Sequence, residues 1–238
     1  MKRIEIKEFG GPEVLEIKNV DIGKLGHNEV LVKNLSIGIN YIDTYHRSGL
    51  YPIPLPSGIG LEACSIIEEV GSEVKLFKVG DRVTRASMPI GTYSEKQIIP
   101  EDKLVKVPDN ISDEVASCIT LKGITAEYLL HRTYQVKKGD KILYHAAAGA
   151  LGQIFCPWAN ALGAEIIGTV GSDEKIEIAK KNGCHHVINY NEKNFVEEVE
   201  KIVGKNGLDV VYDGVGAKTF EGSIEVLKVR GMMVAFGN

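Results

Sequence analysis

The chain has 238 residues, 28 of them Lys or Arg against 32 Asp or Glu, for a formal net charge of −4. So slight an acidic excess argues against a protein held to nucleic acid by charge, because phosphate affinity needs a basic surface. No run of ~18 apolar residues is present to cross a bilayer. Glycine, at 26 of 238 residues, exceeds the usual ~7% and follows no collagen period, so tight turns and close backbone approaches are expected. The opening MKRIEIKEFG lacks the apolar stretch of a secretory signal, and a cytoplasmic location is the expectation. Cys64, Cys118, Cys156 and Cys184 lie far apart, without a C-x-x-C pair or a Cys/His cluster at ligand spacing. They read as ordinary buried or part-buried thiols. His185 and His186 would point to opposite faces of a strand, so zinc is not indicated.

Up to about residue 120 the chain is a series of short strand-like runs, 29–40, 64–71, 81–88 and 103–108, broken by Gly, Pro, Asn and Asp. This pattern predicts a compact, mainly antiparallel β domain. A helix is expected from Ser112 to His131, with Asp113 and Glu114 at the positive end of its dipole and Gly123 interrupting it. From Lys141 the texture changes to strand–helix alternation. Strands are expected at 141–146, 165–170, 185–190, 208–215 and 231–237. The intervening helices fall at 151–163, 173–183, 194–204 and near 217–228. Short strands joined by helices need crossover connections, which means a parallel, doubly wound sheet. The domains therefore read as 1–122 and 123–238.

The first of those later strands runs into His145-Ala146-Ala147-Ala148-Gly149-Ala150-Leu151-Gly152. This is the dinucleotide fingerprint G-x-G-x-x-G with Ala147 at its first position. Gly149 would let the backbone approach a pyrophosphate, and Gly152 would let the helix pack closely on the strand. Between a buried strand and a helix, the motif predicts nucleotide binding. NAD-preferring folds place Asp or Glu about 20 residues further on. Here that place falls near Gly171, which leaves room for a 2′-phosphate that Ser172 and Lys175 could contact. Asp173 and Glu174 stand nearby on the other side of the argument, and NADP is favoured over NAD.

Further runs are specific: Gly10-Gly11-Pro12-Glu13-Val14-Leu15, the long stretch from Ile37 to Pro52, Gly80-Asp81-Arg82-Val83, Val187-Ile188-Asn189-Tyr190 and Phe236-Gly237-Asn238. With the phosphate turn, they make the chain resemble the zinc-independent quinone oxidoreductases of the medium-chain dehydrogenase/reductase superfamily, the group that includes zeta-crystallin. The resemblance runs from residue 1 to 238. It implies an α/β protein in which a GroES-like β-rich substrate domain precedes a Rossmann domain, with the cofactor, NADPH, in the cleft between them. It implies an NADPH:quinone oxidoreductase acting on a small quinone without metal. Asn40, Asp43, Tyr45 and Tyr51 match the polar cluster at the quinone site, and Thr125 would hydrogen-bond near the nicotinamide. Gly149, Ala150, Leu151 and Gly152 would meet the pyrophosphate, and Gly171, Ser172, Lys175 and Tyr190 the adenosine 2′-phosphate. Val215, Phe236 and Asn238 would face the nicotinamide.

Zinc-dependent relatives carry Gly-His-Glu where this chain has Gly60-Leu61-Glu62, and Leu61 cannot ligate a metal. An alcohol dehydrogenase reading thereby loses its Lewis acid. Two departures from the family pattern are expected to matter. Pro157 falls within the helix after the phosphate turn, where a kink is predicted. Family members also continue past this Phe-Gly-Asn into a sixth strand that joins the sheets of a homodimer. Beyond it lies a return segment with a basic residue that helps hold the cofactor phosphate. The Rossmann sheet is thus expected to lack its last strand, the substrate domain its return segment, and the run 231–237 a neighbour. Two other functions remain open: an enone or alkenal double-bond reductase, and a truncated non-catalytic NADPH-binding protein.

Overall fold

The structure, a computed structural model, describes residues 1–237. The chain forms two compact units, Met1–Leu121 and Lys122–Asn238. The first contains β1 (Lys2–Ile6), β2 (Glu16–Asn19), β3 (Glu29–Gly38), helix α1 (Tyr41–Ser48), β4 (Ser57–Gly58), β5 (Glu62–Val70), β6 (Arg82–Ala86), β7 (Lys96–Pro100) and β8 (Val105–Lys106). A small sheet has the order β2-β1-β4 and a larger one β7-β3-β5-β6-β8. The strand pairs are antiparallel. Val30 and Val32, two residues apart on β3, share one face of the pleat and pack with Ile67, Val83, Ile99 and Leu104. The 103–108 run yields only a two-residue strand, because Glu101–Lys103 closes a 3-10 turn through Leu104 N–H to the Glu101 carbonyl.

Helix α2 (Asp113–Tyr128) runs unbroken through Gly123, contrary to the interruption expected there. A glycine inside a helix costs only ~1 kcal/mol, and the buried Ala126, Leu129 and Leu130 outweigh it. Cys118 also corrects an expectation. It is exposed on α2, whereas Ala116 and Ser117 of the same helix are buried. The other three thiols are buried.

The second unit contains β9 (Lys141–Tyr144), α3 (Gly152–Ala161), β10 (Glu165–Val170), α4 (Ile176–Lys181), β11 (His186–Asn189), α5 (Phe195–Val203), β12 (Leu208–Asp213), α6 (Phe220–Glu225) and β13 (Leu227–Ala235). All pairings in this sheet are parallel, in the order β11-β10-β9-β12-β13. Counted from β9, that is 3-2-1-4-5, the doubly wound order. Both faces are covered, as the alternating side chains show. Ile142 and Tyr144 of β9 join Phe155, Cys156 and Ala159 of α3 on one face. Leu143 joins Phe195 and Val199 of α5 on the other. Phe155 stacks on Tyr144 at 4.4 Å between centroids, and its loss would cost ~3–5 kcal/mol.

Helix α3 continues through Pro157 to Ala161. Both Pro157 and Gln153, whose carbonyl loses its partner, are exposed, so water can take the place of the missing N–H. Strand β13 starts four residues before the expected run. Its register on β12 jumps from Leu208↔Leu227 to Val210↔Met232, and Arg230 takes up the irregularity at φ 66°. The last helix is short, since the turn closed by Thr219 N–H on the Gly216 carbonyl delays its start. No helix among the described residues is long and apolar enough to cross a membrane.

Candidate active site

In the first unit the site residues gather on and beside α1. Asn40 is the N-cap residue, extended at φ −129°, and the positive φ of Gly49 ends the helix. Asp43 sits in the first turn and is 4% exposed. Its Oδ2 accepts from the Asn40 backbone N–H at 2.9 Å and from the Tyr93 hydroxyl at 2.9 Å. Burial raises the Asp43 pKa above the ordinary carboxylate value, and those two donors counteract it only in part. The structure therefore uses Asp43 to fix the helix start. The Asn40 side-chain amide in turn donates to Glu62 Oε2 at 2.9 Å, and Glu62 Oε1 accepts the Leu121 N–H at 2.7 Å. Glu62 is fully buried at the start of β5, so a carboxylate with two donors holds the Asn40 amide in one orientation.

Tyr45 and Tyr51 meet edge to face with centroids 5.3 Å apart, and Tyr41 packs on Tyr45 at 5.4 Å. The Tyr51 N–H donates to the Tyr45 carbonyl at 3.1 Å, which folds the segment after α1 back onto the helix. Burial, then the neighbouring Tyr41 and Tyr51, raises the Tyr45 pKa, so this phenol keeps its proton and remains a donor.

In the second unit the site is made mainly of backbone. The turn 145–151 joins β9 to α3. Its left-handed residue is Ala146, at φ 57°, one position before the alanine that the fingerprint puts first. Such a conformation costs a non-glycine residue ~1–3 kcal/mol, and strain of this kind clusters at ligand clamps. A Cβ on Gly152 would come 2.4 Å from the Ala147 carbonyl oxygen, so only glycine lets α3 start this close to the strand end. A Cβ on Gly149 would meet only the Ala146 carbonyl oxygen, at 3.0 Å, and is otherwise open. Ala150 and Leu151 complete the turn, with Leu151 preceding the first residue of α3.

At the end of β10, Gly171 lies against Tyr190, whose hydroxyl would be 3.1 Å from a Cβ there. Asn191, which sequence reasoning missed, donates to the Gly171 carbonyl at 2.7 Å. Ser172 precedes the turn Asp173–Lys175, and Lys175 is exposed. Asp173 accepts from the Asn189 amide at 2.8 Å, which engages the nearest carboxylate elsewhere. Val215 follows β12 and donates its N–H to Asp213 at 2.9 Å. Phe236 follows β13, with its ring 6.2 Å from that of Tyr144. Thr125 is half-buried on α2. Asn238 lies outside the described residues. Gly149, Gly171, Tyr190, Val215 and Phe236 thus all fall just beyond the C-terminal ends of parallel strands, the edge where open α/β sheets take their ligands.

Glu62, Tyr93, His145, Thr169, Asp213 and Ser223 were not expected at the site. The signal for Glu62 and His145 was present, since each is a polar side chain in a run otherwise apolar enough to be a buried strand. Nothing local marked Tyr93 or Ser223. Among the described residues no three His, Cys, Asp or Glu side chains converge in a way that could hold a metal ion, and Leu61 is buried and apolar.

Two family models match the chain. One, described as an alcohol dehydrogenase GroES-like domain, covers residues 26–109; the other, described as a zinc-binding dehydrogenase, covers residues 150–238. With the antiparallel first unit and the 3-2-1-4-5 sheet of the second, they define a dehydrogenase/reductase of the medium-chain superfamily. Quinone oxidoreductase of Pseudomonas aeruginosa is 48% identical over 238 residues, covering 100% of this chain and 73% of that protein. The 2-haloacrylate reductase of a Burkholderia species is 46% identical over 240 residues, covering 98% of this chain and 72% of the relative. The solved structure of Escherichia coli quinone oxidoreductase complexed with NADPH superposes with a TM-score of 0.97 at 50% identity, over 100% of this chain and 73% of that one. The chain belongs to the quinone oxidoreductase family of the medium-chain dehydrogenases/reductases.

Proposed function

We propose that this chain is a cytoplasmic, NADPH-dependent quinone reductase that needs no metal. The observation that carries the reading is the gathering of three uncharged donors, Asn40, Tyr45 and Tyr51, around α1 in a chain about half identical to quinone oxidoreductases. The residues of residues 122–238 fit the cofactor. The open side of Gly149 and the close start of α3 at Gly152 suit a pyrophosphate on a helix N-terminus. Gly171, with Ser172, Lys175, Tyr190 and Asn191 around it, provides a turn with room for a 2′-phosphate and a lysine to balance it. Thr125, Val215 and Phe236 are assigned to the nicotinamide end. Four unpaired thiols suit a reducing compartment.

NADPH supplies the hydride when bound. A quinone is a strong electron acceptor, so the work left to this chain is positioning and charge stabilisation. Residues 1–122 serve as the substrate domain. There the Asn40 amide and the Tyr45 and Tyr51 hydroxyls donate to the quinone oxygens as these gain charge. Asp43 and Glu62 act through Asn40, by holding its backbone and its amide.

The test is oxidation of NADPH by the chain with a small ortho- or para-quinone. Turnover that falls when Tyr45 and Tyr51 are both changed to Phe supports the reading; turnover indifferent to both rejects it. The similarity to a 2-haloacrylate reductase favours a second reading, reduction of an activated carbon–carbon double bond at the same site. A panel of quinones and enones separates the two by their ratio of kcat/KM values.

A further inference from the structure

Four buried polar side chains behind the cofactor turns belong to no step above. His145 is 1% exposed, Thr169 0%, Asp213 2% and Ser223 0%. They form a continuous chain of hydrogen bonds. His145 Nδ1 lies 2.9 Å from Thr169 Oγ1, and its Nε2 lies 2.9 Å from Ser223 Oγ. Ser223 Oγ donates to Asp213 Oδ2 at 3.0 Å. The other oxygen, Oδ1, accepts from the N–H groups of Val215 and Gly216, at 2.9 and 3.0 Å, and from the Thr219 hydroxyl at 2.9 Å.

The chemistry sets the direction of every proton. Burial pushes Asp213 up, but the Gly216 and Val215 N–H groups and the Thr219 hydroxyl pull it further down, so it is ionised and can only accept. Ser223 must therefore give its hydrogen to Asp213 and take one from His145 Nε2–H. Burial lowers the His145 pKa to about 4, so the ring is neutral and its bare Nδ1 accepts from Thr169. The residue types are those of a hydrolytic triad, but here the serine lies between acid and imidazole and all three are enclosed, which excludes a nucleophilic role.

The placement of the network gives it a use. Thr169, His145 and Asp213 stand at the C-terminal ends of β10, β9 and β12, neighbours in the sheet, and Ser223 reaches them from α6. The strand order reverses between β9 and β12, the switch point at which doubly wound sheets bind nucleotides. Each of the three strands leads into a different turn: Gly171 after Thr169, Gly149–Gly152 after His145, and Val215–Gly216 after Asp213. We propose that the chain Asp213–Ser223–His145–Thr169 is a positioning device that sets the spacing of the nicotinamide-side turn against the two phosphate-side turns. This rests on the cofactor assignment made above. Asp213 anchors the nicotinamide-side turn directly, and its charge orders the remaining links.

Two variants each cut one link with little change in volume. Ser223→Ala separates Asp213 from His145; Thr169→Val separates His145 from the turn at Gly171. Each is titrated with NADPH, which would span all three turns, and with 2′,5′-ADP, whose two phosphates would reach only the two phosphate-side turns. For Ser223→Ala the Kd of NADPH is expected to rise about tenfold, or about 1.4 kcal/mol, while that of 2′,5′-ADP stays as in the unaltered chain. For Thr169→Val the Kd of both ligands is expected to rise. A merely structural role would lower the melting temperature of the free protein without this split. Equal changes for both ligands in Ser223→Ala, or none in either variant, overturn the inference. If Ser223→Ala does not fold, Thr169→Val decides alone, and an unchanged 2′,5′-ADP affinity counts against the proposal. Failure of the unaltered chain to bind either ligand overturns the cofactor assignment itself, and this inference with it.

Discussion

The two units carry candidate sites built from different materials. In residues 1–121 the chemistry lies in side chains, and each is held by another side chain: Asn40 by Glu62, Asp43 by Tyr93, Tyr45 by Tyr51. In residues 122–238 it lies in backbone, at Gly149, Gly152 and Gly171, and the side chains that matter are buried behind it. A site of donors on a helix can change its substrate by changing a few side chains. A site of turns needs the turns themselves fixed, and here a buried carboxylate with four bonded partners lies beneath them. Altering the first region should therefore change turnover, and altering the second should change cofactor affinity and stability.

The largest expected break falls in the second region and concerns pH. Burial holds the His145 pKa at about 4 against an ordinary 6.5, so the unfolded chain takes up a proton that the folded chain refuses. Stability therefore rises with pH between those values; the contribution is complete above pH ~6.5 and is lost as pH falls toward 4, about 3 kcal/mol in all. Denaturant midpoints across that range should fall with acidification in the unaltered chain and fall less in His145→Gln. Equal slopes would remove His145 from the account. Next comes Gly152→Val. Its Cβ would stand 2.4 Å from the Ala147 carbonyl oxygen, and the displaced turn is expected to weaken NADPH binding about a hundredfold, or about 2.7 kcal/mol. Isothermal titration reads this directly, and a loss under threefold would show that the close approach is not needed.

The smallest effect tests the first region. Glu62→Gln leaves one acceptor for two donors, the Asn40 amide and the Leu121 N–H. Quinone turnover is expected to fall about tenfold with NADPH affinity unchanged. A parallel loss of NADPH affinity would erase the contrast between the halves.

What could be read from the residues follows the same division. The strand–helix alternation after Lys141, the parallel sheet and the Gly149–Gly152 turn were legible because their signals are local: an apolar period, then glycines at fixed offsets. The side-chain anchors were not. Asn40 and Glu62 are 22 residues apart, Asp43 and Tyr93 50, and His145 and Ser223 78. Only the folded register of β5, the segment before β7 or the crossover to α6 brings them together. Gly123 misled in the opposite way, because a helix-breaking residue was outweighed by the buried Ala126, Leu129 and Leu130 that follow it. The start of β13 was missed because a bulge near Arg230 hides the strand's period.

The most direct test of the central claim, that residues 122–238 hold NADPH by its phosphates, is the melting temperature of the whole chain with NADPH or NADH added. At about a hundred times its Kd, NADPH should add about 2.7 kcal/mol and raise the melting temperature by about 5–11 °C, with NADH at the same concentration giving a smaller rise. No rise with NADPH, or an equal rise with both, would contradict it.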